Sequence, residues 1–248
     1  MPIAGAITNR VHWRIRHWIE DTRKLWTPYY LLGDARDNAF IRTLVAGLLA
    51  VDGNGVDIGS NDGLFLRDFI RCAPRGHHMA IEPLPALADR LRRSFPTVTV
   101  HEVALSDHAG EAPFCHVVSQ SSYSGLRTIR YHTPQTVRPI RVRVAPLDDL
   151  WPPDRPLSLI KLDVEGAELE VLRGAARTIR RWHPAIVFEH GGAASAFGTS
   201  PRDVHSLLTD YDLRVFSLNG DGPHDLPAFE IRCGSVDRSP EWNFLART

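Results

Sequence analysis

The stretch between Asn54 and Gly63 constrains the fold more than any other part of the sequence. Val56 and Ile58 fit a short buried strand that ends at Gly59, and apolar side chains recur at helical spacing after Gly63. A strand, a tight glycine turn and a helix form the first half of a βα unit. The sequence therefore predicts an α/β protein in which the free backbone N–H groups at the start of this helix face a ligand.

The spacing of the glycines in this turn indicates which ligand it suits. A dinucleotide-binding turn reads G-x-G-x-x-G, and its second glycine makes room for a pyrophosphate. Here the spacing is Gly59-x-x-x-Gly63, Ser60 and Asn61 lie in between, and Asp57 lies in the strand. A carboxylate beside the turn repels phosphate and suits an ammonium group. The pattern disfavours an NAD(P)-dependent oxidoreductase, and an ordinary turn that binds nothing is the other alternative.

Two further strand ends are predicted to contribute to the same site. Glu82 follows a predicted strand over 78–81, and in nucleoside-binding α/β folds a carboxylate at that place accepts hydrogen bonds from the ribose hydroxyls. Ser106 and Asp107 follow the next strand, over 98–103, where an adenine contact is favoured because ligands lie beyond the carboxyl ends of parallel strands. A helix cap for Glu82 and a plain turn for the other two are the structural alternatives.

The charged strand end within 157–174 is predicted to carry the chemistry. Lys161, Asp163, Glu165 and Glu168 follow a buried strand and share one turn. Charges so close to the core of a sheet are costly unless they are paired or used. The alternative is a structural role, in which the lysine pairs with a carboxylate and holds the turn.

The composition excludes several kinds of protein. The chain has 248 residues and a formal net charge of +0, so nothing indicates a nucleic-acid partner, which would favour a basic excess. No stretch approaches the roughly 20 apolar residues of a membrane span, and the N-terminus lacks the pattern of a signal peptide. The three cysteines, Cys72, Cys115 and Cys233, have no metal-ligand spacing. We therefore expect a reduced, cytoplasmic protein.

Two segments are predicted to surround the site or to contact partners. Residues 1–50 are predicted to form a helical extension before the domain of 51–248, as a lid, an oligomer contact or a surface helix. Within it, apolar residues of 10–26 recur at helical spacing, and tryptophans and basic residues share the segment. This pattern suits packing on the domain or on a second subunit or, less favoured, contact with an anionic membrane surface. The polar residues of 119–132 are predicted to form a binding loop, with a plain surface excursion as the alternative.

With these motifs assembled, the sequence resembles the FkbM family of S-adenosylmethionine (SAM)-dependent O-methyltransferases. The most specific similarity is the run Lys-Leu-Asp-Val-Glu-Gly-Ala-Glu over 161–168. The other matching segments are 56–63, 82–83, 104–107 and 147–150. The resemblance implies a Rossmann-like class I methyltransferase fold, with a seven-stranded sheet that is parallel but for its last strand and has helices on both faces. It also implies methylation of a hydroxyl on a sugar, a glycolipid or polysaccharide, or a polyketide-type product.

The resemblance also implies that SAM is the cofactor bound at the strand ends. The residues predicted to bind it are Asp57, Gly59, Ser60, Asn61, Gly63, Glu82, Ser106 and Asp107. A SAM-binding protein without catalytic activity is the alternative from another functional class.

A methyl transfer to an aliphatic hydroxyl needs a group that takes up the hydroxyl proton. The candidates for the catalytic residues are Asp163, Glu165 and His190, with Lys161 beside them, and histidine has the most suitable ordinary pKa, about 6.5. Asp163, Glu189 and His190 are a less favoured alternative set of ligands for a divalent cation such as Mg²⁺.

Overall fold

A computed structural model describes residues 34–131, 133–234 and 241–248 of the protein. The predictions made for residues 10–26, and for most of the extension over 1–50, lie outside the described residues. The division into an extension and a domain of 51–248 stays a prediction.

The strands confirm the predicted architecture. The described residues form ten strands: β1 (Gly55–Ile58), β2 (His78–Ile81), β3 (Thr99–His101), β4 (Ala104–Leu105), β5 (Gly110–Val117), β6 (Val137–Ala145), β7 (Leu159–Leu162), β8 (Ala185–Glu189), β9 (Arg214–Ser217) and β10 (Asn243–Arg247). Seven of them build one sheet in the order β3-β2-β1-β7-β8-β10-β9. Only β10 runs antiparallel to its neighbours in this sheet. This is the predicted class I methyltransferase sheet.

Helices cover both faces of the sheet. In the described residues they are α1 (Asp34–Leu48), α2 (Leu64–Cys72), α3 (Pro85–Ser94), α4 (Leu147–Leu150), α5 (Glu168–Gly174), α6 (Ala176–Trp182), α7 (Pro201–Asp210) and α8 (Leu226–Gly234). Apolar side chains of α1, α2 and α3 pack on one face, and those of α4 to α8 pack on the other. None of these helices combines the length and the apolar character that a membrane span requires.

The alternation of side chains along β1 explains how a carboxylate comes to lie in the middle of the sheet. All four residues of β1 are buried, because helices cover both faces. Val56 and Ile58 pack among the helices α4 to α8, so the side chain of Asp57 leaves the strand on the opposite face, towards α1 and α2. Its register partner on β7 is Lys161, which therefore shares that face.

Helix α1 is part of the packed core. Ile41, Val45 and Leu49 are buried against the sheet and against α2. Near its start, Asp37 and Asn38 line the cavity described below. The end of the predicted helical extension therefore contributes to the wall of the cavity.

A small second sheet departs from the regular βα pattern. Strands β5 and β6 form a long antiparallel hairpin, and the short β4 pairs in parallel with β6. The chain between β5 and β6 returns over the carboxyl ends of the large sheet. There Gly125 exchanges backbone hydrogen bonds with Cys115 of β5.

The segment 147–150, which carried part of the family resemblance, has a structural role. The carboxylate of Asp148 accepts hydrogen bonds from the backbone N–H groups of Arg177 and Thr178, both at 2.8 Å. These are free N–H groups in the first turn of α6, so Asp148 satisfies donors that the helix itself cannot. Asp148 thereby joins α4 to α6.

Candidate active site

A cavity of about 610 Å³ opens at the carboxyl ends of the central parallel strands. The turns after β1, β2, β7 and β8 line it, together with α1, β10 and the chain between β5 and β6. Ligands of open α/β sheets bind in this position, where the strand order reverses. Here β1 lies between β2 and β7, which makes it the point of reversal.

The turn after β1 has the conformation that its glycines predict. Gly59 and Gly63 have φ of +74° and +78°, in the left-handed region that side chains rarely adopt. A Cβ atom on Gly59 would overlap the backbone carbonyl oxygen of Asp163, because the turns after β1 and β7 touch there. Gly59, Ser60 and Asn61 line the cavity. Gly63 does not line the cavity. A Cβ atom on it would overlap the ring of Phe95, so a glycine is needed for the turn to pack against that ring.

Replacing Gly59 with alanine is expected to destabilise the protein and to disrupt the cavity together. The new methyl group would force apart two adjacent turns, and the positive φ would add strain of order 1–3 kcal/mol. A fall in the melting temperature measured by differential scanning calorimetry, with weaker SAM binding in a titration, would support this. Gly47 lies exposed in α1, has no positive φ and leaves open space for a Cβ atom, so Gly47→Ala is the control that should not lower the melting temperature. Equal melting temperatures for Gly59→Ala and the wild type would contradict the prediction.

Asp57 is a buried carboxylate without a hydrogen bond. It is 1% exposed, and neither carboxylate oxygen has a hydrogen-bond partner in the described part of the chain. Burial raises the pKa of Asp57 to about 6, against the opposing attraction of Lys161. Asp57 does not line the cavity itself, whereas Ile58 and Gly59, which follow it in the chain, do. A buried acceptor with unused lone pairs suits a cationic or N–H donor ligand nearby.

Glu82 joins the turns after β1 and β2 by hydrogen bonds. One carboxylate oxygen accepts the backbone N–H of Asn61 and the other that of Leu84, both at 2.9 Å. Burial raises the pKa of Glu82 to about 7, although these two hydrogen bonds oppose the shift. Each oxygen keeps a second lone pair, and the side chain lines the cavity. The carboxylate can therefore both hold the turn and accept hydroxyl groups from a ligand.

Lys161 is a buried positive charge in the lining of the cavity. It is 5% exposed, and its ammonium group lies 2.9 Å from Asp163 Oδ2 and 5.3 Å from the centre of the Phe65 ring. Burial alone would lower the pKa of this lysine, but Asp163 and Asp57 together raise it. Lys161 thus stays charged and balances two carboxylates.

Three carboxylates meet at the ends of β7 and β8. Oxygen atoms of Asp163, Glu165 and Glu189 lie within 4.8 Å of one another. Burial alone would raise the pKa of Asp163, but Lys161 holds it below its ordinary value. Burial and the charge of Asp163 raise the pKa of Glu189 well above its usual range. The raised pKa of Glu189 and the positive charge of Lys161 therefore both reduce the net negative charge of the cluster.

Glu165 differs from the other two members of the cluster in its backbone. Its φ is +57°, which is uncommon for a residue with a side chain, and Gly166 follows with φ of +104°. Glu168 holds this turn by accepting the N–H groups of Val164 and Gly166, both at 3.2 Å. Burial, followed by the charges of Asp163 and Glu168, raises the pKa of Glu165 to about 8. A carboxylate of this basicity accepts a proton more readily than an ordinary glutamate does.

Residues 119–131, which we call the roof loop, line one side of the cavity and are anchored at two points. Ser121 Oγ donates to Asn61 Oδ1 at 3.0 Å, on the turn after β1. Arg127 Nη1 donates to the carbonyl oxygen of Ala196 at 3.0 Å, and its guanidinium lies 4.7 Å from the centre of the Phe197 ring. The loop is therefore fixed to the turns that carry the other lining residues.

The structure does not bring all the predicted site residues to the cavity. His190 lies outside its lining, 3% exposed, with its ring 5.9 Å from that of Phe229. Burial lowers the pKa of His190 to about 4. In the carboxylate cluster Glu165 occupies the place that the sequence prediction gave to this histidine.

Ser106 and Asp107 also lie away from the cavity lining. Ser106 is 1% exposed and its hydroxyl lies 3.3 Å from Glu170 Oε2, while Asp107 contacts the ring of His108 at 2.8 Å. The cavity is lined at this strand end by Ala104 and Leu105. An adenine in this position would meet apolar groups.

Sequence reasoning missed several lining residues. Asn243 of the last strand and Trp242 just before it, with Asp37 and Asn38 of α1, reach the cavity from elements far apart in the chain. No local pattern marks them, because their position depends on how the elements pack.

Comparisons with known proteins identify the family. Residues 57–215 match the family model described as a methyltransferase FkbM domain. The chain is 32% identical over 190 residues to the 2-O-methyltransferase NoeI of Sinorhizobium fredii, covering 69% of this chain and 77% of that protein. It is 29% identical over 172 residues to the hexuronic acid methyltransferase AglP of Haloferax volcanii, covering 66% of each chain.

The fold has a solved counterpart. The crystal structure of the methyltransferase FkbM from Methylobacillus flagellatus superposes with a TM-score of 0.52 at 18% identity, over 90% of this chain. At that identity the likeness shows the fold alone. The chain spans about half of that protein, since the match covers 48% of its length.

Proposed function

Because the chain belongs to the FkbM methyltransferase family, we propose that it methylates a hydroxyl group of a sugar, with SAM as its cofactor. The similarity to NoeI and AglP supports the acceptor class, since their names describe a 2-O-methyltransferase and a hexuronic acid methyltransferase. The single observation that supports the chemistry most is Glu165, a carboxylate with a raised pKa that lines the cavity.

The residues at the ends of β1 and β2 fit the cofactor. The free lone pairs of Glu82 suit the two ribose hydroxyls, and the unpartnered carboxylate of Asp57 suits the positive charge of an ammonium group nearby. Gly59, Ser60 and Asn61 give the ligand a close approach to the backbone. When bound, SAM supplies a methyl group on a positively charged sulfur, which makes that carbon open to attack by an oxygen.

Glu165 is the general base of the proposed reaction. Its carboxylate would take the proton of the acceptor hydroxyl as that oxygen bonds to the methyl group that bound SAM would supply, and the neutral thioether would be the leaving group. The products are a methyl ether and S-adenosylhomocysteine. Asp163 does not fill this role as well, because Lys161 stabilises its charge and lowers its basicity. The remaining contribution of the cavity is alignment of the two reacting groups.

The carboxylate cluster also permits a divalent cation, which stays the less favoured alternative. Its ligands would be Asp163, Glu165 and Glu189, all of which offer the oxygen atoms that Mg²⁺ prefers. Lys161, 2.9 Å from Asp163, already supplies positive charge to the cluster. We therefore expect transfer to continue after dialysis against EDTA. Loss of activity with EDTA that added Mg²⁺ restores would contradict this expectation. It would indicate that a bound cation, and not the proposed base, activates the acceptor hydroxyl.

The experiment that tests the function uses the purified chain, SAM labelled with ¹³C in its methyl group, and a panel of methyl glycosides. We expect a new methyl ether signal in the NMR spectrum, with S-adenosylhomocysteine formed in equal amount. Methyl transfer to a polyketide-type hydroxyl and to none of the sugars would contradict the acceptor class. Binding of SAM without transfer to any acceptor would contradict the enzymatic assignment.

A further inference from the structure

We infer that the roof loop forms the acceptor subsite, and that this subsite selects a sugar ring that carries a carboxylate group. The inference rests on the proposed function and narrows its acceptor class. Two features of the loop support it: a pair of stacked tyrosines and an arginine at the edge of the cavity.

The rings of Tyr123 and Tyr131 form a stacked pair in the cavity wall. Their centres are 6.2 Å apart and their planes differ by 28°. Both residues are half-buried and both line the cavity. Aromatic rings present a large, rigid contact area at a small cost in conformational entropy. Such a surface suits the apolar C–H face of a pyranose ring, which leaves the hydroxyl groups around the rim for hydrogen bonds.

The loop lies directly over the proposed base. A Cβ atom on Gly125 would approach the Cβ of Glu165 to 3.3 Å. Burial raises the pKa of Tyr131, and the nearby Cys115 and Glu165 raise it further. A ring packed on Tyr131 would therefore hold a hydroxyl group next to the Glu165 carboxylate.

Arg130 supplies the positive charge of this subsite. It lies next to Tyr131, lines the cavity and is exposed. Within the described residues no hydrogen bond, ion pair or ring contact engages its guanidinium. The two neighbouring cations differ, because Lys161 pairs with Asp163 and Arg127 anchors the loop. A planar guanidinium with its donors free binds a carboxylate through two parallel hydrogen bonds.

The test uses two probes that differ only in the carboxylate: methyl β-D-glucopyranosiduronic acid and methyl β-D-glucopyranoside. Binding of each to the full chain loaded with S-adenosylhomocysteine is measured by saturation-transfer NMR and calorimetry. We expect the acidic sugar to bind about tenfold more tightly, as for a charge-assisted hydrogen bond at a partly exposed site. Methylation of the same probes is measured separately.

Four variants separate the contributions. Arg130→Gln is expected to abolish the preference for the acidic sugar, whereas Arg138→Gln, an exposed arginine outside the cavity, is expected to leave it unchanged. Tyr131→Leu is expected to weaken the binding of both sugars about tenfold. Tyr131→Phe keeps the ring and is expected to weaken their binding much less. None of the four is expected to change the affinity for S-adenosylhomocysteine.

The outcomes distinguish this inference from the proposed function. If Arg130→Gln weakens the binding of S-adenosylhomocysteine and not that of the acidic sugar, Arg130 binds the carboxylate of the cofactor and the inference is wrong. If either sugar is methylated and neither Arg130→Gln nor Tyr131→Leu changes the rate, the proposed subsite is wrong but the proposed methyltransferase function remains supported. Binding of the acidic sugar that these variants weaken, without any methylation, supports the subsite and overturns the function. Failure of the wild type to bind either sugar overturns the inference.

Discussion

Replacement of Glu165 with glutamine is expected to lower the turnover number for methyl transfer by about 10²–10⁴-fold, the usual contribution of a general base. Glutamine has nearly the same shape but accepts no proton at neutral pH. The affinity for SAM should change little, because the proposed cofactor contacts lie on the turns after β1 and β2. Initial rates with labelled SAM, and a calorimetric titration of SAM, measure the two effects separately.

The pH dependence of the wild type tests the same assignment. A base with a pKa of about 8 is mostly protonated at pH 7, so kcat/KM should rise with pH and level off above about 8. In Glu165→Gln the residual activity should lose this rise. A profile that levels off near pH 4 instead would indicate a base with an ordinary or lowered pKa, such as Asp163.

The thermal stability of Glu165→Gln shows whether a lower turnover number reflects lost catalysis or a misfolded protein. Glu165 holds its proton up to a pH of about 8 in the folded protein, against an ordinary value of 4.5 in the unfolded chain. The folded state therefore binds more protons between these values, and stability falls as the pH rises through that window. Glutamine removes this loss, so the variant should melt at an equal or higher temperature at pH 8. Glu111→Gln, a charge replacement at an exposed site, is the control for both activity and stability.

Replacement of Lys161 with methionine is expected to destabilise the fold by about 3–5 kcal/mol, as when one partner of a buried ion pair is removed. Methionine keeps an unbranched side chain but removes the ammonium group that lies over the Phe65 ring, and it leaves the carboxylates of Asp57 and Asp163 without their positive charge. Asp163 is about a third exposed, so water compensates part of the loss and the lower end of the range is expected. Urea unfolding followed by circular dichroism measures the change.

A surface pair provides the matched control for this second substitution. Arg92 pairs with Asp89 at 2.7 Å, and both side chains are largely exposed. Arg92→Met should therefore cost less than about 1 kcal/mol. Equal losses in the two variants would mean that Lys161 does not compensate buried charge. Because Asp57 loses its opposing charge in Lys161→Met, its pKa should also rise, and carbonyl signals in an NMR titration would show this.

The sequence contained most of the information about the fold. The predicted strand and tight glycine turn over 54–63, and the helix that follows them, are present in the structure, and Gly59 and Gly63 have the positive φ that glycine tolerates. The single antiparallel strand of the large sheet came from the family resemblance and was also confirmed. These features depend on local sequence, because backbone conformation and burial on both faces leave periodic patterns.

The choice between Glu189 and His190 could not be made from the sequence. The two residues are adjacent at the end of β8, so their side chains leave the chain on opposite faces. Val187 pairs with Lys161 in the sheet, which places Glu189 beside Asp163 and turns His190 towards Phe229. That register is a property of two strands together, and neither strand specifies it alone.

What the sequence determined by itself is the class of fold, the glycine turn after β1 and the chemical groups at the strand ends, since each depends on residues close together in the chain. Only the tertiary structure decided which of those groups meet: it joined Asp163, Glu165 and Glu189, moved Ser106 and His190 away from the cavity, and brought Tyr131 and Trp242 to its wall. The physical reason is that strand register and loop docking are set by packing between distant segments, which leaves no trace at any single position.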